Sequence, residues 1–521
     1  MNRQNALADS FDTLVFGSGL AGLAYAKRAA QKGQRVCVLE KSSQLGGHLL
    51  PFERAGVTFE VGIHYIADTH NGSLFAQTCQ TLGLQIESIA LEDTFEELCF
   101  EDGKTFFYKA PFPEFLESLI SRFGKQYEKP LRHYQEACEV AWNVTNQIQF
   151  PCRTLDILRV AVKHPKRMLL AQLATSTLDE YLRNYLKLPH EMVEILSAQH
   201  LLMGVAPRRI SALLYLIVHR YYFEKPCFVK GGGREMIAQL LTSQVDYRTS
   251  QNARLAHSSR PRTRFEALLS TGEKIYSQNV VWTADPRALA LSSDIRPGAL
   301  ARFRLSEAEN PHALVVCYFA TRSDLQQFGF GNRNSWLMGT LSANESYGET
   351  NLELLARRGL VYVSTGSLRD PLAISPKSKL GAKGVFQAMF LVPPQSELWG
   401  GQQAHLYRKP ESKGGFGRAY RQKKDALLEI IKDRLEKNFP GVCADLVWEE
   451  LGTPLTHGRY LNSLSGNGYG YSATVFDLII GRPSFRSGVE GLYFCGGHIK
   501  PAHGIVTSLA NGVGLAERLH T

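Results

Sequence analysis

The stretch FDTLVFGSGLAGLAYAKRAAQKGQRVCVLEKSS, residues 11–43, constrains the fold more than any other part of the chain. Thr13 to Phe16 is a short β-branched and apolar strand, and Ala21 to Gln31 is rich in Ala, hence helical. Between them Gly17, Gly19 and Gly22, with Ser18, Leu20 and Ala21 interleaved, spell G-x-G-x-x-G. Gly33 stops the helix, and RVCVLE is a second strand ending in Glu40. This order is the βαβ dinucleotide fingerprint. The first glycine permits the tight turn, the second lets the backbone approach a pyrophosphate, and the third lets helix and strand pack. The helix N-terminus offers unpaired N–H groups and a positive dipole end to phosphate. A carboxylate at the end of the second strand can accept the ribose hydroxyls.

The following residues, EKSSQLGGHLLPFERAGVTFEVG, continue from Glu40 and Lys41 to the pair Gly46-Gly47 and then His48. Adjacent glycines let a loop pass close to a second part of a cofactor, which a plain NAD fold does not require. This region resembles the start of the flavin amine oxidase and phytoene desaturase superfamily, where E-K-x-x-x-x-G-G is typical. The other end of the chain, GVEGLYFCGGHIKPAHGIVTSLANGVGLAERL, reads as a buried strand, a glycine turn at Gly496-Gly497, and a helix opened by Gly504, Ile505 and Val506. In that superfamily the strand and turn close over the flavin and the helix points its N-terminus at the flavin ring. Many members carry an acid just after the first turn glycine, where this chain has Gly497.

Further matches lie between these ends. FVKGGGREMIAQLL resembles the family segment that returns to the FAD domain, and NVVWTADPRAL the strand after it. ELGTPLTHGRYLNSLSGNGYGYSAT resembles a segment of carotenoid isomerases and retinol saturases. The chain is therefore identified as similar to the carotenoid isomerase and retinol saturase branch over residues 12–519. The run GIHYI resembles the saturase version of the substrate site, which implies catalytic roles for His64 and Tyr65, as proton donors or as partners of a substrate hydroxyl. The alternative is that His64 only satisfies buried backbone groups. Saturases carry cysteines after the glycine pair where this chain reads His48-Leu49-Leu50, so the substrate itself is not carried over.

The resemblance implies an α/β fold: a discontinuous, GR2-type, Rossmann-like FAD-binding domain with an inserted α+β substrate domain. The expected pieces are 1–75, 228–292 and 448–521 for the first, and 76–227 and 293–447 for the second. At 521 residues more than one core is expected. FAD is expected to be noncovalent, because no cysteine or histidine sits in a recognised attachment motif. NAD(P) remains open as electron donor, although no second dinucleotide domain is seen. KGGFGRA, inside the Gly- and Lys-rich stretch Tyr407 to Lys424, lacks both a preceding strand and a third glycine. That stretch and Ser375 to Gly384 read as surface loops, whereas YRQKKDALLEIIKDRLEKNFPG reads as an amphipathic helix.

Composition sets the remaining bounds. Hydrophobic content of 44% and charged content of 21% are those of a globular protein. The polar start MNRQNALADS and the lack of a long apolar run lead us to expect a cytoplasmic protein. Nine scattered cysteines, never in CxxC, read as thiols and not as a metal site, so no metal is expected. The net charge of +10 is dispersed, with no nucleic-acid-binding pattern. Leu155 to Ala174 mixes apolar residues with Arg159, Lys163, Lys166 and Arg167, the pattern of a peripheral membrane contact. Arg208 to Phe223 is apolar over most of its surface and suits either a membrane or the wall of a tunnel for a hydrophobic small molecule. The leading expectation is an FAD oxidoreductase acting on a polyene or isoprenoid double bond. The alternatives are an amine-oxidase-like flavoenzyme and a noncatalytic escort-type lipid carrier.

Overall fold

The computed structural model describes residues 9–145, 147–394, 396–399, 415–461 and 463–520. Two seven-stranded sheets organise it. The first is built around Ser10–Phe16, whose Leu14 and Val15 are fully buried. This strand lies parallel to Val36–Leu39 on one side and to Lys274–Trp282 on the other. Val245–Arg248 extends the sheet beyond Val36–Leu39, and Leu492–Phe494 pairs parallel with Lys274–Trp282. An antiparallel hairpin, Arg254–His257 and Phe265–Leu268, completes it. The chain thus leaves its central strand where the strand order reverses, the place at which an open parallel sheet presents a crevice.

The helix after that strand, Leu20–Gln31, packs on the C-terminal helix, Ile505–Leu519. The approach is close enough to touch backbone: a Cβ on Gly512 would lie 2.4 Å from the carbonyl oxygen of Ala21. Small residues on both helices make this possible.

The second sheet runs Leu446–Gly452, Ala313–Thr321, Gly384–Val392, Val361–Ser364, Asn334–Leu337, Glu96–Cys99, Thr105–Tyr108. Every neighbouring pair is antiparallel except Asn334–Leu337 with Glu96–Cys99. Helices between Phe112 and Tyr221 share a buried apolar cluster with its strands, Phe115 and Tyr215 with Leu98, Tyr108 and Trp336. The expected boundary at 448 falls inside Leu446–Gly452, which hydrogen-bonds along Ala313–Thr321 and so belongs with the second sheet as far as Gly452. The boundary at 228 likewise falls inside Cys227–Val229, which pairs with Ser88–Ala90. Of the stretch Tyr407 to Lys424, residues 407–414 lie outside the described residues, and from Gly415 onward it is the start of the helix Gly415–Asn438, not a loop. All nine cysteines are free thiols. No helix among the described residues is long and apolar enough to cross a membrane.

Candidate active site

One cavity of about 1190 Å³ runs from the end of the first strand into the space between the two sheets. At one end its wall is backbone. Gly17, Ser18, Gly19, Leu20 and Ala21 line it together with Glu40 and Lys41. Gly17 has φ +103°, a conformation a side chain rarely adopts, and this turns the chain sharply into the helix. A Cβ on Gly19 would meet nothing within 4 Å, so the space in front of it belongs to the cavity. The Glu40 carboxylate accepts bonds from the backbone N of Ser18 (2.9 Å), from Ser18 Oγ (2.7 Å) and from the backbone N of Ser42 (2.8 Å). It is fixed by the turn it faces.

Two of the expected cofactor residues do not line the cavity. Gly22 is pressed against the turn, where a Cβ would lie 2.3 Å from the carbonyl oxygen of Gly17. Gly46 pairs with Gly19 and abuts Ile237, whose Cδ1 would be 2.3 Å from a Cβ there. Both glycines allow close packing behind the wall. Gly47 and His48 do reach the cavity, as do Gly496, Gly497, Gly504, Ile505 and Val506. The helix that starts at Ile505 therefore turns its N-terminus to the cavity.

The loop carrying Gly497 is anchored by Arg482, a fully buried guanidinium bonded to backbone carbonyls. Its Nε donates to Ile499 O (2.9 Å), its Nη1 to Tyr471 O (2.7 Å) and Ser472 O (3.2 Å), and its Nη2 to Gly497 O. Beside this loop Asp285 also lines the cavity. Its carboxylate accepts from Tyr471 Oη (2.5 Å) and pairs with Arg287 (3.0 Å), and it lies 3.9 Å from His498 Nε2. A carboxylate thus stands near Gly497, although the residue there is not an acid. Sequence reading missed both Arg482 and Asp285, because their significance lies in contacts with segments far along the chain.

Further in, the wall becomes apolar and aromatic. Leu213, Leu214, Ile217, Val218 and Tyr222 line it from the helix Ala212–Tyr221 and its end, with Leu314, Tyr362, Met389 and Tyr469 from other segments. The stretch Arg208 to Phe223 is accordingly a cavity wall. His64 and Tyr65 both line this part. Arg369 Nη1 holds the backbone carbonyl of His64 at 2.8 Å, and its Nη2 donates to Asn334 Oδ1 at 2.7 Å. The His64 ring makes no hydrogen bond among the described residues and meets the Tyr362 ring edge-on, with centroids 6.1 Å apart. The reading of His64 as a cap for backbone groups therefore has no bond to rest on. Burial, aided by the Arg369 charge, pushes its imidazole down to about 3, so the ring is neutral at physiological pH. Burial likewise lowers His48, His457, His498 and His503, each to about 4. All four line the same cavity. Tyr65 stacks on Tyr222 with centroids 4.2 Å apart, and its hydroxyl donates to Glu96 Oε1 at 2.6 Å. Among the described residues no cluster of His, Cys, Asp and Glu is arranged to hold a metal ion.

Known proteins resemble this chain. Residues 20–367 match the model of a family described as flavin containing amine oxidoreductase. The chain is 24% identical to prolycopene isomerase, chloroplastic, of Daucus carota over 98% of this chain and 80% of that protein. It is 21% identical to all-trans-retinol 13,14-reductase of Danio rerio, over 89% of this chain and 78% of that one. Among solved structures, cyclohexylamine oxidase from Brevibacterium oxydans superposes with a TM-score of 0.58, covering 98% of this chain and 100% of that one at 16% identity.

Proposed function

The chain belongs to the flavin containing amine oxidoreductase family, and from that premise we propose that it is an FAD-dependent enzyme acting on carbon–carbon double bonds of a polyene or isoprenoid lipid. The reaction is a saturation, a desaturation or a cis–trans isomerisation. The observation that carries this reading is the single cavity whose wall changes from glycine backbone to apolar and tyrosine side chains. The open space at Gly19, the turn at Gly17 and the fixed carboxylate of Glu40 suit a dinucleotide. Residues 17–21 would hold the pyrophosphate and Glu40 the ribose. Gly47, His48, Gly496, Gly497 and the helix N-terminus at Ile505 would hold the flavin portion, with Asp285 as the nearby carboxylate. Bound FAD, held noncovalently, supplies hydride chemistry. The protein's own part is to place the double bond, exclude water, and hold protons at His64 and Tyr65. We assign the first sheet to the FAD domain and the second, with its helices, to the substrate domain. NAD(P) as electron donor would act without a dinucleotide domain of its own.

The amine-oxidase alternative requires an aromatic cage with room for an amine between its rings. The pair Tyr65 and Tyr222 is closed on itself at 4.2 Å, which favours a flat, extended apolar substrate lying along it.

Such a substrate dissolves in lipid, and one outer face suits contact with a membrane. The helices Thr154–Lys163 and Arg167–Thr175 expose Leu155, Leu158, Val162 and Met168, the last at 79%. The turn Asp477–Gly481 packs on the first of them and exposes Ile479 and Ile480. Ile157 and Leu478, on these same two elements, face the cavity. Exposed Lys163 and Arg167, with Arg159 and Lys166 exchanging their pairs with Asp156 and Glu136, would meet lipid phosphates. The protein would then be cytoplasmic and peripheral on the membrane.

The test is to purify the protein, record its visible spectrum before and after acid precipitation, and identify released flavin and lipid by mass spectrometry. The flavin-loaded protein is then incubated with prolycopene and with all-trans-retinol, and products are separated by chromatography. A yellow protein that alters a polyene supports the reading. A colourless protein that cannot be reconstituted with FAD overturns it. Flotation with anionic vesicles, lost on Met168→Glu, tests the membrane face.

A further inference from the structure

Glu96 is fully buried on Glu96–Cys99, a strand of the second sheet. Its Oε1 accepts from Tyr65 Oη at 2.6 Å and from Gln199 Nε2 at 3.0 Å. Its Oε2 makes no well-formed hydrogen bond, although the Trp336 indole N–H, likewise without a partner, is close enough to act on the carboxylate. No Lys or Arg forms an ion pair with it among the described residues. Gln199 Oε1 lies 2.9 Å from His219 Nδ1. Because that amide oxygen only accepts, Nδ1 carries the ring proton, and the buried Nε2 is without a partner. A file of polar groups, Tyr65, Glu96, Gln199 and His219, thus leads from the cavity wall into an apolar core and ends there.

A structural role explains this poorly. Packing and the bond from Tyr65 would be served by an uncharged amide at position 96, whereas a fully buried carboxylate without an ion-pair partner is costly. Protonation removes that cost. Burial pushes the Glu96 carboxyl up to about 7, against the hydrogen bonds from Tyr65 and Gln199, the nearby Trp336 indole and the Arg369 charge, which all favour the carboxylate. The groups facing Glu96 are Tyr65, Tyr222 and Tyr362 at the cavity, Tyr108 from the adjoining strand, Tyr215 from the helix Ala212–Tyr221, and Arg369, with His219 of that helix one step away through Gln199. Burial raises the Tyr65 phenol well above its ordinary value, so Tyr65 is not a proton store itself. His219 is driven down to about 3 by burial and stays neutral. Glu96 is the member of the file whose proton comes and goes near neutral pH.

We propose that Glu96 is a positioning residue that stores the proton Tyr65 gives to, or takes from, a substrate in the cavity. This rests on the reading of the cavity given above. In the giving direction, the Tyr65 O–H bond breaks and its proton passes to the substrate. The Glu96 O–H bond breaks and that proton passes to the Tyr65 oxygen. Tyr65 ends as a neutral phenol, Glu96 as a carboxylate, and the substrate has gained one proton; no electrons change hands. With Glu96 already ionised, the phenol proton is committed to the carboxylate and is not available to the cavity. The reverse direction runs the same two transfers backwards and needs the carboxylate.

Infrared spectroscopy of the flavin-loaded protein tests the store without any lipid. A carbonyl band of a buried carboxylic acid should appear as pH falls through neutrality, vanish in Glu96→Gln, and shift in Tyr65→Phe. Turnover of all-trans-retinol or prolycopene should show a limb at the same midpoint, lost in Glu96→Gln, and Tyr65→Phe should be roughly 100-fold slower. Gln199→Leu, which leaves both partners in place, should move the midpoint upward, because it removes a bond to the carboxylate. This variant keeps the test decisive should Glu96→Gln not fold. Absence of a band that depends on Glu96, a band unmoved by Tyr65→Phe, or a midpoint unmoved by Gln199→Leu would overturn the proposal. A protein that shows the band and its shifts but alters neither polyene would overturn the polyene reading and leave the proton store standing.

Discussion

The two ends of the cavity are built by opposite means. The nucleotide end is backbone from one short stretch: residues 17–21 in a turn, with Glu40 locked to Ser18 and Ser42. The substrate end is side chain, gathered from segments as distant as Tyr65, Tyr222, Tyr362 and Tyr469. Backbone sites tolerate no new side chain and depend little on pH. Side-chain sites tolerate substitution and carry the titrating groups. The contrast teaches where each kind of perturbation should act.

The largest effect should come from the glycines. Gly22→Val places carbon atoms against the carbonyl oxygen of Gly17, where a Cβ alone would sit at 2.3 Å, so little folded protein is expected. Gly19→Val meets no protein atom with its Cβ and its backbone is already extended, so the flavin-free fold should melt normally while flavin is lost. Thermal melting and flavin absorbance on both variants separate packing from binding. Full flavin in both would show that the nucleotide end is misassigned.

Acid should act next, through side chains that line the cavity beyond the glycine turn. Five cavity histidines, His48, His64, His457, His498 and His503, have folded-state values pushed down to between about 3 and 4 by burial, against an ordinary 6.5. A depressed value means that the unfolded chain takes up protons first. Their contribution to stability is therefore present above about pH 6.5 and is lost as pH falls from there towards 4. Glu60, Glu96, Asp68, Glu194 and Asp477, all raised by burial, work in the opposite sense, but burial also lowers His200, His219 and His312, so the histidines outnumber them. The melting temperature should fall steeply over that window, and His457→Leu, which removes a buried Nε2 without a partner, should flatten the fall. A flat profile from pH 7 to 4.5 would contradict the burial argument.

The same contrast decides what could be read from the sequence. The first strand, the helix Leu20–Gln31 and Glu40 are legible because neighbours in the chain are neighbours in space. Gly22 was legible as the glycine that lets helix and strand pack, but Gly46 was not legible as standing behind the wall, since that depends on Ile237 meeting it. Arg482, Asp285 and Glu96 were not legible. Each acts across 10 residues or more, as in the bond from Arg482 to Ser472 or from Tyr65 to Glu96, and no local pattern marks such a pair. Lys and Gly in the stretch before Tyr420 suggested a loop, yet the helix begins at Gly415, continuous with an apolar face that packs on the second sheet.

Glu40→Ala should have an intermediate effect. It removes a partner for the ribose and releases Ser18 and Ser42, so flavin should bind about 1.5–3 kcal/mol more weakly, the scale for hydrogen bonds to a charged group. Equilibrium dialysis of FAD against the variant measures this as a loss of roughly tenfold to a hundredfold. Unchanged affinity would mean that the carboxylate serves the turn alone.

His64→Ala should disturb the fold least. The ring is half-buried, lines the cavity and makes no hydrogen bond, so its loss should cost under about 1 kcal/mol of stability and leave flavin content unchanged. Its effect belongs to the reaction. A neutral imidazole can accept or donate one hydrogen bond to a substrate group, and if it takes part in proton transfer the rate should fall about 100-fold. Because burial holds the ring neutral down to about 3, that loss should be the same at every pH across the neutral range. Tyr65→Phe should behave differently, since the phenol is tied to Glu96 and its loss should abolish a pH limb. Melting temperature, flavin occupancy and rate against pH on one preparation of each variant separate the two residues. A lowered melting temperature with an unchanged rate would make His64 a packing residue after all, and the substrate end would then owe its chemistry to Tyr65 alone.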